Sequence, residues 1–189
     1  MSTRGNIVFV DHWYLEKNEI SVDDIINNKR CLTGALENSY KIYVHSDMYP
    51  SGAIDDLQTF LKLDGAKHRA TDTSYLSAWF VGWKCLDMSR WTRRFSDRNF
   101  EPNKCKNPSL KNFKESQDFF GIGLLQELSD WASYSYIIVP NISIENEKYQ
   151  FDKNSFDILI YDGYKFSDFL GKINSEDPVC GFENKDWWY

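Results

Sequence analysis

The chain of 189 residues lacks most of the signatures that would name a chemistry outright. It has four cysteines, Cys31, Cys85, Cys105 and Cys180, and no two stand at C-x-x-C spacing, so a zinc ribbon is not expected. No G-x-x-x-x-G-K-S/T, G-x-G-x-x-G, H-E-x-x-H or G-x-S-x-G string occurs, so every enzyme class read from those motifs loses its support. No run approaches eighteen apolar residues, so no membrane-spanning helix is expected. The start, Met1-Ser2-Thr3-Arg4, leads into a short apolar run and has no signal-peptide core. Four reduced thiols in a cytoplasm follow as the expectation. There is no internal repeat.

Aromatic residues, by contrast, are plentiful: seven Trp, eleven Tyr and thirteen Phe. A disordered chain is poor in such residues, so a packed single domain over 1–189 is expected, with rings to spare for an interface. The formal net charge is −6, unevenly spread. Lys84 to Lys114 carries nine basic residues against three acidic ones, and the remainder is strongly acidic. An acidic body repels nucleic acid, so direct nucleic-acid binding is not expected. A basic segment can still meet a phosphate or an acidic partner. The segment at about 89–116 is polar, contains Pro102 and Pro108, and reads as a loop-rich insertion.

Gly5 to Val10 is rich in β-branched and aromatic residues and reads as a strand. Ser21-Val22-Asp23-Asp24 has the form of a helix start, with a helix running to about Glu37. Tyr40 to His45 reads as a second strand, Ala53 to Leu63 as a helix, and Ser74 to Met88 as a central helix with Leu76, Trp79, Phe80 and Trp83 inward. Phe120 to Leu125, Tyr134 to Val139, Lys148 to Asp152 and Asp157 to Tyr161 read as strands, and Phe166 to Ile173 as a short helix. The expected fold is α+β, an antiparallel or mixed sheet with helices packed on one face.

Three groups of residues can carry chemistry. In the first, His45 ends a strand, Asp47 follows on the same side, and a helix beginning near Gly52 aims free N–H groups at them. His45, Tyr49, Ser51 and those N–H groups would then hold a phosphate or carboxylate, or His45 would act as a base oriented by Asp47. Asp55 and Asp56, placed in the first turn, weaken that case by meeting the dipole themselves. The plainer reading has Asp47 capping the turn. The second group is Arg69 and Asp72, an anion clamp or a private ion pair. The third is Arg4, which enters the first strand beside the proposed pocket. Trp187-Trp188-Tyr189 at the terminus is a candidate interface. No cofactor and no metal are expected.

Met1-Ser2-Thr3-Arg4-Gly5-Asn6-Ile7 and His45-Ser46-Asp47-Met48-Tyr49-Pro50-Ser51-Gly52 together resemble a family of small uncharacterised proteins of phages, prophages and bacterial mobile elements. That family has an M-G-T-R-x-x-I start and a later H-x-D-G-Y-P-x-G segment. Arg69, the Trp79-Phe80 helix, Phe120-Gly121-Ile122-Gly123 and Tyr134-Ser135-Tyr136 resemble its later parts. Ser2 and Met48 stand where the family has glycine, and a left-handed turn would be costly at Met48. The resemblance implies a mobile-element context rather than an activity. The expected function is countering a host defence system, such as CRISPR or nucleotide signalling, by binding a protein partner or sequestering a nucleotide in the carrier cell's cytoplasm. One alternative is a small hydrolase or transferase on a phosphorylated substrate, in which Arg4, His45, Asp47 and Arg69 converge. The other is an assembly protein that oligomerises through Trp187, Trp188 and Tyr189.

Overall fold

The strand Gly5–Val10 (β1) is buried at every position, and its neighbours explain why. Helices cover both of its faces, so the usual polar/apolar alternation of a half-exposed strand is absent. A computed structural model describes residues 3–45, 48–96 and 122–178.

In chain order β1 is followed by helices His12–Lys17 (α1), Val22–Asn27 (α2) and Lys29–Glu37 (α3), then strand Ser39–Val44 (β2). Helices Pro50–Leu61 (α4), Asp64–His68 (α5) and Thr73–Ser96 (α6) come next. Strands Ile122–Leu125 (β3) and Tyr134–Asn141 (β4), a hairpin of Ile144–Glu145 (β5) with Lys148–Tyr149 (β6), a 3-10 turn Phe151–Lys153, and strands Ser155–Asp162 (β7) and Asp168–Asn174 (β8) complete the described residues.

The main sheet has six strands in the order β3-β2-β1-β4-β7-β8. β1 and β4 run parallel and every other neighbouring pair is antiparallel, so the sheet is mixed and the class α+β. The helices, expected on one face, occupy both. Ile7 and Phe9 point to a core filled by Ile54, Leu57, Phe60, Leu76 and Phe80 from α4 and α6. Val8 and Val10 point to a second core with Leu15, Ile25 and Ala35 from α1 to α3. Alternation along each strand sends odd and even residues to opposite layers.

Other boundaries move for local reasons. The helix expected over 21–37 is two, because Asn28 takes an extended conformation and its side chain caps α3. α4 begins at Pro50, whose fixed φ suits a first helical position, so Asp55 and Asp56 fall beyond the first turn. α6 continues through Ser96, so 89–96, read as part of the insertion, is helix. The rest of that segment lies outside the described residues. Phe166 to Ile173, expected to be a helix, instead gives the edge strand β8: Phe166 has φ of 53° and ends the turn from which β8 departs. Among the described residues no helix is long and apolar enough to cross a membrane.

Candidate functional site

The sequence singles out residues that would have to share one cavity, and the sheet decides whether they do. β1 starts at Gly5 opposite Val44, and parallel β4 starts at Tyr134 beside Gly5. One end of the sheet therefore carries Arg4, His45 and Tyr49. The far end of β1 is Val10, whose carbonyl accepts from the Thr73 hydroxyl at 3.4 Å, which fixes the start of α6 there. Arg69 and Asp72 precede Thr73, so they sit at the opposite end, the length of a six-residue strand away, roughly 17 Å or more.

At that far end Arg69 pairs with Asp72 at 3.6 Å and lies over the Tyr75 ring at 4.5 Å. Asp72 also accepts from the Tyr75 N–H at 3.2 Å and the Ser74 hydroxyl at 3.1 Å. It is the N-cap of α6, and this explains an aspartate just before that helix. Arg69 and Asp72 thus form an ion pair with both side chains partly exposed.

The near end divides again by face. The Tyr43 hydroxyl and His45 Nδ1 are 3.1 Å apart, so His45 shares the face of Tyr43, opposite to that of Ile42 and Val44. Arg4 lies two residues before the buried Asn6, on the side of α1 to α3, and stacks on Trp131 at 4.9 Å. α4 packs on the other face. Tyr49, the residue before it, stands 6.3 Å from Tyr134, and Ser51 in its first turn is exposed. His45 and Arg4 thus point to one face at this end of the sheet, and Tyr49 packs towards the other. Asp47 lies outside the described residues, as do Trp187, Trp188 and Tyr189. Of the described candidates, Arg4, His45, Tyr49 and Ser51 lie at one end of the sheet, and Arg69 and Asp72 lie at the other.

Met48 shows why the segment takes this path. It is buried against Gly5, where an added Cβ would come within 2.8 Å of the Met48 Cβ. The Tyr136 hydroxyl donates to the Met48 carbonyl at 2.7 Å, and the Met48 N–H to Thr3 at 3.2 Å. Burial pushes the Tyr136 hydroxyl well above the usual tyrosine range, with Tyr134 adding to it, so this group stays a donor.

Two features escaped the sequence reading. Asn6, fully buried, donates from Nδ2 to the Ser129 carbonyl at 3.1 Å and accepts the Ser129 N–H at 3.2 Å. It clamps the loop that presents Trp131. Nothing short of the strand register could have shown this, because Ser129 is 123 residues away.

The second is an exposed aromatic surface. Ile144 pairs across the hairpin with Tyr149, and Tyr149 stacks on Phe151 at 6.0 Å. Phe151 meets His68 edge-on at 5.8 Å. One turn back on α5, Gly65 lies so close under Trp79 that an added Cβ would be 2.1 Å from the indole. Trp79 in turn contacts Tyr75, 6.3 Å away, which carries Arg69. Trp79 and Tyr75 remain 43% and 47% exposed. The helical spacing that placed Trp79 inward is only half right: Leu76 and Phe80 fill the core, and Trp79 lies on its outer rim.

Among the described residues no group of three or more His, Cys, Asp or Glu stands close enough to hold a metal ion. A cleft between α1 and α3 is lined by Tyr14, Lys29, Arg30, Thr33, Gly34 and Glu37, and it includes none of the candidates. No family model, curated protein or solved structure matches the chain.

Proposed function

We propose that the chain is a phage or mobile-element protein that counters a host defence system by occupying the surface of a protein partner. The mobile-element context rests on the resemblance of the Met1–Ile7 and His45–Gly52 segments. The observation that carries the binding reading is two groups of exposed side chains brought together by α5, Ile144, Tyr149, Phe151 and His68 on one side and Trp79, Tyr75 and Arg69 on the other. Aromatic residues and arginine supply most of the energy at protein interfaces, and Leu, Ser and Thr little of it. Large exposed apolar patches rimmed by polar groups mark interaction sites. Here the rim consists of paired charges, Lys67 with Glu176, Lys153 with Glu145, and Arg69 with Asp72. Charges already paired within the chain hold the surface in shape and take no strong charge from a partner.

The separation of His45 from Arg69 supports binding over catalysis. A hydrolase using His45 as base and both arginines as clamps needs all three within reach of one substrate. The sheet holds Arg69 at its other end.

The test is a plating assay in hosts that each carry one defence system, with the chain expressed, followed by affinity measurement against the purified component of any system it disables. Tyr75→Ala, a change at the surface, should weaken that affinity about tenfold or more while leaving the thermal unfolding midpoint near wild type. Full affinity in Tyr75→Ala and Trp79→Ala, or no protection in any host, would remove the basis for this reading.

A further inference from the structure

We propose that Arg4 and Trp131 form a binding platform for a nucleoside phosphate, independent of the partner surface at the other end of the sheet. Trp131 is 67% exposed, yet the loop carrying it is firmly held. Buried Asn6 bonds both the N–H and the carbonyl of Ser129. The Trp131 N–H donates to the Ser129 hydroxyl at 3.4 Å, and the Ser133 N–H to the Arg4 carbonyl at 2.9 Å. A hydrogen bond from the Gly163 N–H to the Ser133 carbonyl, 2.7 Å, ties the loop to the turn after β7. An indole fixed in water is preorganised, so a ligand that stacks on it spends little on ordering the site.

Two chemical requirements then follow from the side chains. The Arg4 guanidinium covers part of the indole at 4.9 Å, and the remaining ring area is open to a flat π-system such as a nucleobase. Among the described residues no carboxylate pairs with Arg4, so its fork of N–H donors is available to an anion, and it matches a phosphate in shape. His45 stands on the same face, in the register position beyond the Gly5–Val44 pair and next to Arg4. Lys165, exposed beside Tyr164 on the turn that Gly163 ties to this loop, adds a second cation near the same end. A base with an attached phosphate satisfies both the ring and the fork. A peptide carboxylate satisfies only the fork.

Isothermal titration of the full chain with AMP, adenosine and inorganic phosphate tests the pairing. AMP should bind more tightly than either part alone, and raised salt should weaken AMP and phosphate but not adenosine. Trp131→Ala and Arg4→Ala should each lower AMP affinity at least about fivefold. Arg4→Lys should recover only part of it, because an ammonium lacks the fork. Tyr75→Ala should leave AMP binding unchanged, which separates this site from the partner surface. Unaltered thermal unfolding of the two alanine variants shows that the loss is local, and GMP, CMP and UMP repeat the titration for the other bases. If none of the four nucleotides binds more tightly than phosphate, or if Trp131→Ala binds AMP as wild type does, the platform is not a nucleotide site. Loss of a protein partner in Trp131→Ala, without nucleotide binding, overturns it equally and assigns the tryptophan to an interface.

Discussion

At the scale of single residues, His12 is a group whose cost can be read from its surroundings. It opens α1, and its Nε2 is buried with no hydrogen-bond partner, 3.6 Å from the Glu16 carboxylate. Burial lowers the pKa of this imidazole, and Glu16 and Asp11 offset only part of the effect. The unfolded chain therefore binds a proton more readily than the folded one. Between the lowered folded value and the ordinary one of about 6.5, the unfolded state holds more protons, so stability rises with pH. The stabilisation is complete above that ordinary value and is lost on acidification through the window. His12→Gln should flatten this part of the profile: urea midpoints at about pH 7 and about pH 5 should differ less in the variant than in wild type. Equal slopes would mean that His12 titrates in the folded protein as it does in water. None of this was legible in the sequence, where His12 is one polar residue in an ambiguous stretch. The Ser21–Asp24 capping box was legible, because it depends only on residues three apart: Ser21 accepts the Asp24 N–H, and Asp24 accepts the Ser21 N–H.

At the scale of elements, local pattern located strands and helices well where the segment's own composition carries the signal. β1 was read with its observed bounds. β8 was misread, because a seven-residue edge strand with Gly171 inside it shows no clean alternation, and only β7 makes it a strand. The β5–β6 hairpin was half seen. Its turn residues Asn146 and Glu147 have φ of 51° and 63°, the mirror-image turn that matches strand twist. Asparagine tolerates that region and glutamate does not, so the usual Asn-Gly signal was missing. The hairpin is anchored through Asn154, which accepts the Ser143 N–H at 2.8 Å and donates to the Lys67 carbonyl at 3.0 Å. Glu147→Gly should accordingly stabilise the hairpin by about 1 kcal/mol, read as slower hydrogen exchange of the Lys148 to Gln150 amides. Faster exchange there would show that Glu147 is not strained and that glycine adds only chain entropy.

At the scale of the whole molecule, the arrangement of sites follows from one feature, a mixed sheet with a helical layer on each side. Such a sheet separates its edges, ends and faces, so residues close in sequence part company. His45 and Ser51 are six residues apart, yet they are set on opposite faces, and Arg69 is carried to the far end by α4 and α5. The shared pocket was inferred from a strand followed by a helix; alternation along β2 turns His45 to the face opposite Ile42 and Val44. The two surfaces that remain, Trp131 with Arg4 and Tyr75 with Trp79, lie at opposite ends of β1. Substitutions that share no partner and lie well apart add to within about 0.5 kcal/mol. Trp131→Ala and Tyr75→Ala should therefore combine additively in chemical denaturation, and each should leave the other surface's ligand affinity unchanged. Between them runs β1, buried on both faces and joined to β2 and β4 along its length. A coupling above about 1 kcal/mol in the double-mutant cycle would mean that the sheet has a second arrangement both ends can bias. The two surfaces would then work as one regulated unit rather than as separate sites.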